Sequence, residues 1–402
     1  MRASCAGSDW TKRLRFFVFL LCGFSSAVAS RTLDPLTVSL ANDLGTPISS
    51  VALLASALSL PYALAQPILG PVGDQFGKTR LLKIALWLSA LSLIAGALAP
   101  NYPSLFAARM LTGLAGAGIM PVAMAMIGDL YPRGRQVAIA RFVASAILGQ
   151  ILGAVFAGMV ADEIGWRGVT WICFAIVFSV AISANALLPK EAASPGPGAL
   201  GVRAALATYK RIFRNPRAWA CYGAVFVMGG LTFGFLPFVA PELEGRGGGG
   251  AREAGFIIAG MAAGSLMFSL FLPLLLRVAS RPTLMIMGGL TGCAGFCAYA
   301  LGLHWSAQMG VFALVGLGFF MLHNSVQAEV SEIEPSARSS AFGMHACSFF
   351  LGQSAGPLIW SAAISGLGAS AALVTIGLVL GATGIVTGII FRRLPRIVSG
   401  AF

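Results

Sequence analysis

The sequence predicts an all-α polytopic membrane protein with twelve transmembrane helices in two pseudo-symmetric six-helix bundles. Three observations carry this. Hydrophobic residues make up 57% of the 402 residues and charged residues only 10%, whereas a soluble domain carries about 25% charged residues. Apolar runs of roughly 20 residues recur along the whole length, each long enough to cross a hydrocarbon core about 30 Å thick. A pattern of Pro, Arg, Gly and Gln in the first half also returns 203 residues later.

The spans are expected near 16–40, 47–72, 80–99, 103–128, 136–160, 166–188, 217–240, 252–276, 282–303, 306–328, 337–364 and 368–391. All read as helices: lipid offers the backbone no hydrogen-bond partners, and the alternation that a closed barrel needs is absent. In the first span, Lys12, Arg13 and Arg15 precede an apolar run ending Ala27-Val28-Ala29. That run mimics a secretory signal. Removing it would leave eleven spans and break the repeat, so it is read as retained. The 50 glycines suit closely packed membrane helices.

The net charge of +13 follows loop parity. Most Lys and Arg residues fall on alternate connections, among them Lys78, Arg80, Arg135, Lys210, Arg281 and Arg392. The positive-inside rule then places both termini in the cytoplasm, for a bacterial inner membrane. A nucleic-acid partner would need the basic residues clustered on a soluble face, so none is expected. Residues 189–216 break the hydropathy, dividing the chain into bundles 1–188 and 217–402. Within this linker Val202, Leu206, Tyr209 and Phe213 recur at helical spacing beside Arg203, Lys210 and Arg214. This is the pattern of a helix lying on the anionic lipids of the inner leaflet; a solvated linker is the alternative.

The repeat is sharpest between LYPRGRQVAIARFVASAILGQILG and IEPSARSSAFGMHACSFFLGQSAG. Pro132 and Pro335, Arg135 and Arg338, and Gln150 and Gln353 are each 203 apart. Parallel six-helix repeats point to a transporter whose substrate site lies at mid-membrane between the halves.

Two stretches carry a family resemblance. GPVGDQFGKTR resembles the signature between helices 2 and 3 of the major facilitator superfamily, met by Gly70, Asp74, Gly77, Lys78 and Arg80, with Gln75 where a base is common. LFAARMLTGLAGA resembles the helix-4 motif of its proton-coupled members, with Arg109 and Gly113 in the marked positions. The glycine ladder of drug antiporters is met only partly, by Gly149, Gly153 and Gly158 without the proline. The resemblance implies a twelve-helix transporter of the proton-coupled drug and metabolite antiporter branch, acting as a monomer on a small molecule without a cofactor. Physically, glycines allow the tight turn. Asp74 is expected to latch one face shut against the start of the helix after Pro335.

Polar groups inside spans are the remaining candidates, since each is costly there. Asp34, Arg109, His323 and His345 are candidates for proton coupling, Asp34 first. Arg31, Gln66, Gln150, Asn324 and Gln353 are candidates for the substrate cavity. No phosphate loop with a lysine, no metal-ligand spacing and no nucleophilic triad points to an ATPase or an enzyme. Proton-coupled export of a small, partly apolar organic compound is the first expectation. Transport of a small organic anion held by Arg31 or Arg109 is the second.

Overall fold

A computed structural model describes residues 2–132, 134–188 and 202–394, apart from the side chains of 2–9, 11, 70–75, 202–206 and 336. Every regular element among these residues is helical. The first half holds α1 (Arg2–Arg31), α2 (Thr37–Leu44), α3 (Ile48–Phe76), α4 (Lys78–Ala97), α5 (Tyr102–Leu130) and α6 (Arg135–Leu187). A connecting helix, α7 (Val202–Arg214), leads to α8 (Pro216–Met228), α9 (Val239–Gly245), α10 (Ala251–Val278), α11 (Arg281–Tyr299), α12 (Trp305–Ile333), α13 (Arg338–Leu367) and α14 (Ala369–Arg393). At 53 residues α6 is too long for one pass. Gly165, at φ 68° and ψ 168°, breaks it in two, between the spans expected at 136–160 and 166–188.

Helix starts are set locally. Asn101 accepts from the Ser104 amide at 3.1 Å, and Ser104 reciprocates in a capping box. Ser280 caps α11 through the Thr283 amide, and Asn215 caps α8 through that of Arg217. Each side-chain oxygen satisfies an amide that the first turn leaves unpaired.

Two passes expected as continuous helices, 16–40 and 217–240, are broken instead. Proline offers no N–H and its ring collides with the preceding turn. At Pro35 the chain passes through a 3-10 turn, Asp34–Leu36, before resuming as α2. Pro237 imposes the same turn at Leu236–Phe238, after a π turn over Gly229–Phe233.

These breaks are themselves repeated. Pro35 and Pro237 are 202 residues apart, as are Gly45 and Gly247, both left-handed at φ 58° and 66°. From α3 onward the offset is 203: Lys78 and Arg281 open α4 and α11, and Tyr102 and Trp305 open α5 and α12. The kink at Gly165 returns at Gly368 with φ 79°. The second half therefore carries one extra residue between Gly247 and Ala251.

Packing follows the same register. A Cβ on Gly113 would collide with the Leu58 carbonyl, and one on Gly316 with the Met261 carbonyl. Lys78 pairs with Asp129 at 2.7 Å, and Arg281 with Glu332 at 2.8 Å. Each partner in one half is 203 residues from its counterpart in the other.

The halves meet along α3 against α13 and α6 against α10. In the first seam Ser56 donates to the Ser354 carbonyl at 2.7 Å. In the second, Gly158 packs on the Ala251 backbone and Gly255 on that of Ala154. Where its side chains are described, the apolar face of α7 packs on protein. Ile212 is buried, Phe213 packs on Trp219 and Tyr222, and the Tyr209 hydroxyl donates to the Pro67 carbonyl at 2.8 Å. Lys210, Arg211 and Arg214 of the same helix are exposed. Residues 189–201 of the expected linker lie outside the described residues.

Candidate functional site

Between the halves lies a cavity of about 350 Å³. The first half contributes Arg31 from the end of α1, Tyr62 from α3 and Gln150 from α6. The second contributes Phe233 from the π turn, Phe319, His323 and Gln327 from α12, and His345, Phe349, Phe350 and Gln353 from α13. Gln150 and Gln353, equivalent in the repeat, therefore face one space.

Arg31 is the centre of the polar wall. Its guanidinium stands 4.5 Å from the centroid of the Phe233 ring. With its amide assigned so that oxygen rather than nitrogen meets these donors, Gln353 accepts from both terminal nitrogens of Arg31, at 3.0 and 3.1 Å, and from Ser59 Oγ at 3.0 Å. Asp34, one turn on, pairs with Arg31 at 3.5 Å. That is an ion pair too long for a hydrogen bond, and Asp34 Oδ2 is buried without one.

The two histidines come together from neighbouring helices, ring centroids 5.1 Å apart. His323 stacks on Phe319, also at 5.1 Å. Both ring nitrogens of His345 and Nδ1 of His323 are buried without a hydrogen bond.

The remaining candidates lie apart from the cavity wall. Arg109 donates to the carbonyls of Ala29 and Ser30 at 3.0 and 3.1 Å. These carbonyls end α1 beside the Pro35 break, where a helix leaves its last acceptors unpaired, and a cation complements the negative helix end. Asp34 sits behind Arg31, Gln66 Nε2 reaches the Ala117 carbonyl at 3.5 Å, and Asn324 is absent from the lining. In the turn motif, Gly77 is left-handed at φ 86° and alone joins α3 to α4. Lys78 pairs with Asp129 and Arg80 is exposed. Gly70 and Asp74 lie outside the residues whose side chains are described.

The aromatic wall was not anticipated from the sequence, because phenylalanines in apolar helices look alike whether they face lipid, core or cavity. One signal could have found Phe233. It is the counterpart of Arg31 when the proline breaks, rather than the later glycines, set the register.

Comparison with known proteins agrees with this architecture. A sequence profile of the Major Facilitator Superfamily matches residues 19–357. A Streptomyces coelicolor protein described as a probable actinorhodin transporter is 29% identical over 222 residues, covering 52% of this chain and 38% of its own. The Bacillus subtilis transporter YfhI, of uncharacterised activity, is 22% identical over 92% of both chains. The matched region spans only about a third of several other relatives, including 33% of the Penicillium crustosum transporter traF at 30% identity. Among solved structures, a mutant of the nucleoside transporter NupG superposes with a TM-score of 0.74 at 16% identity, over 94% of this chain and 99% of its own. A mutant peptide transporter POT superposes at 0.78 with 15% identity, over 94% of both. These two likenesses concern the fold. With the profile spanning most of the chain, two repeated six-helix halves and a cavity between them, the protein belongs to the major facilitator superfamily.

Proposed function

We propose that this secondary transporter exports a small, partly apolar organic compound in exchange for protons, by alternating access around the central cavity. The observation that carries the reading is the cavity wall: aromatic side chains interrupted by Arg31, two glutamines and two unpartnered imidazoles. Mostly apolar walls with a few convergent polar groups suit a small organic ligand. The histidines, whose ordinary pKa lies near neutrality, and Asp34 behind Arg31 are the groups proposed to carry the proton. The relative described as an actinorhodin transporter supports organic-compound transport, and export is part of the proposal.

The remaining elements of this reading are a gate at Asp74, a monomer, and bundles 1–188 and 217–402 rocking about the linker 189–216. Both termini are assigned to the cytoplasm of a bacterial inner membrane. The test is flux in proteoliposomes across a compound panel, with and without a pH gradient. Uphill movement driven by the gradient is expected. Flux indifferent to the gradient would remove proton coupling and leave the second reading, transport of an organic anion. That reading is favoured by one observation: Arg31 is the charged residue on the wall among the described residues.

A further inference from the structure

We propose that the cavity selects a planar aromatic monoanion, its carboxylate held by Arg31 and its ring system laid along the aromatic wall. This rests on the organic-anion reading and names its substrate class.

Charge is the first argument. The buried charges around the α1 break are Arg31, Arg109 and Asp34, two cations against one anion. A buried charge is costly unless paired. A monoanion completes the balance, whereas a cation would worsen it, and no carboxylate among the described lining residues could receive one.

The second argument is an occupant already in place. The Gln353 amide oxygen sits in the fork of the Arg31 guanidinium, taking both terminal N–H groups. This is the position a carboxylate oxygen takes in a bidentate pair with arginine. A neutral acceptor makes the weaker hydrogen bond, so a charged one displaces it.

The third argument is ring continuity. Phe233, against Arg31, lies 5.1 Å from Phe319 and 5.4 Å from Phe349. Phe349 lies 5.1 Å from Phe350, whose ring is 3.9 Å from that of Tyr62. The wall is thus a chain of aromatic rings starting at the cation, most of them meeting edge to face. Flat rings gain from stacking and edge contacts beyond the area they bury.

The test is equilibrium dialysis of the purified full-length protein with radiolabelled naphthoate. Its competitors are naphthamide, which is neutral and flat, cyclohexanecarboxylate, which is anionic and not aromatic, and naphthyltrimethylammonium, which is cationic. Naphthoate is expected to bind saturably, the first two competitors at least about tenfold more weakly, and the cation not to compete. Arg31→Gln is expected to abolish naphthoate binding. Because that variant removes a buried contact and could fail to fold, Phe349→Leu provides a second arm. It should narrow the preference for naphthoate over cyclohexanecarboxylate. Absence of saturable naphthoate binding, competition by the cation, or an unchanged preference in Phe349→Leu would each overturn the proposal. If naphthoate fails to bind while another compound is carried into proteoliposomes, this inference falls and the transport reading stands. If naphthoate binds as expected while no compound is carried, the transport reading falls instead.

Discussion

Arg31 stands 4.5 Å from the ring of Phe233, and the two occupy the same position of the repeat, 202 residues apart. Counterparts in two halves can touch only near the axis that relates them, so this contact marks where the halves face one another. The pair has diverged chemically, cation on one side and ring on the other. It therefore joins the halves through a cation–π contact, which two identical residues would not make.

Replacing that ring tests the joint. A desolvated cation–π contact is worth about 0.5–2 kcal/mol, enough to move a balanced equilibrium between two arrangements of the halves severalfold. Phe233→Leu is expected to lower thermal stability and alter flux in proteoliposomes, and Phe233→Tyr to preserve both. Wild-type melting and flux in the leucine variant would show that the contact is incidental.

Arg109 is expected to behave as a structural residue. Arg109→Ala leaves the buried Ala29 carbonyl and the part-buried Ser30 carbonyl without their donor, at about 1–3 kcal/mol for the buried one. Melting of the purified protein should fall accordingly, with Arg109→Lys recovering part of the loss. An alanine variant that melts normally but loses only the response to a pH gradient would assign Arg109 to coupling instead.

The glycines of the two halves should respond alike. Gly113→Ala and Gly316→Ala each drive a methyl group into a backbone carbonyl, of Leu58 and Met261 respectively, and both should reduce folded yield sharply. Gly223, inside α8, has open space around its Cβ position. There Gly223→Ala should stabilise by about 0.5–1 kcal/mol, because alanine loses less backbone freedom in a helix. Thermal unfolding of the three variants side by side checks the contrast.

Two ion pairs separate by burial. The side chains of Arg217 and Glu329 are 8% and 4% exposed with 3.0 Å between them, whereas those of Lys78 and Asp129 are 30% and 64% exposed. Removing one partner of a buried pair costs about 3–5 kcal/mol, while an exposed pair contributes about 0–1 kcal/mol. Glu329→Gln should therefore destabilise strongly, the more so because Arg281 also reaches Glu329 at 3.4 Å. Asp129→Asn should melt near the wild-type temperature. Equal melting temperatures for the two variants would contradict this ranking.

Much of the fold was legible without coordinates. Helical passes follow from hydropathy, because lipid leaves the backbone no other way to satisfy its polar groups. The repeat was visible because Pro, Arg and Gln recur at one spacing, and the matched Gln150 and Gln353 both line the central cavity. The breaks at Pro35 and Pro237 were also present as letters, yet apolar length masked them, since a broken pass is as hydrophobic as a straight one.

What the sequence determined by itself was the one-dimensional part: which segments cross, that the halves repeat, and which polar residues sit within a span. Only the tertiary structure decided which of those residues meet. Arg31 and Arg109 read alike as buried cations, but one caps carbonyls within its own half and the other faces Phe233 and Gln353 across the seam. The physical reason is that a helix places a side chain every 100° around its axis. Its neighbours then depend on how the helix is rotated and broken against others far along the chain. The aromatic wall has the same origin, assembled from α3, α12, α13 and the π turn by packing that no local pattern encodes.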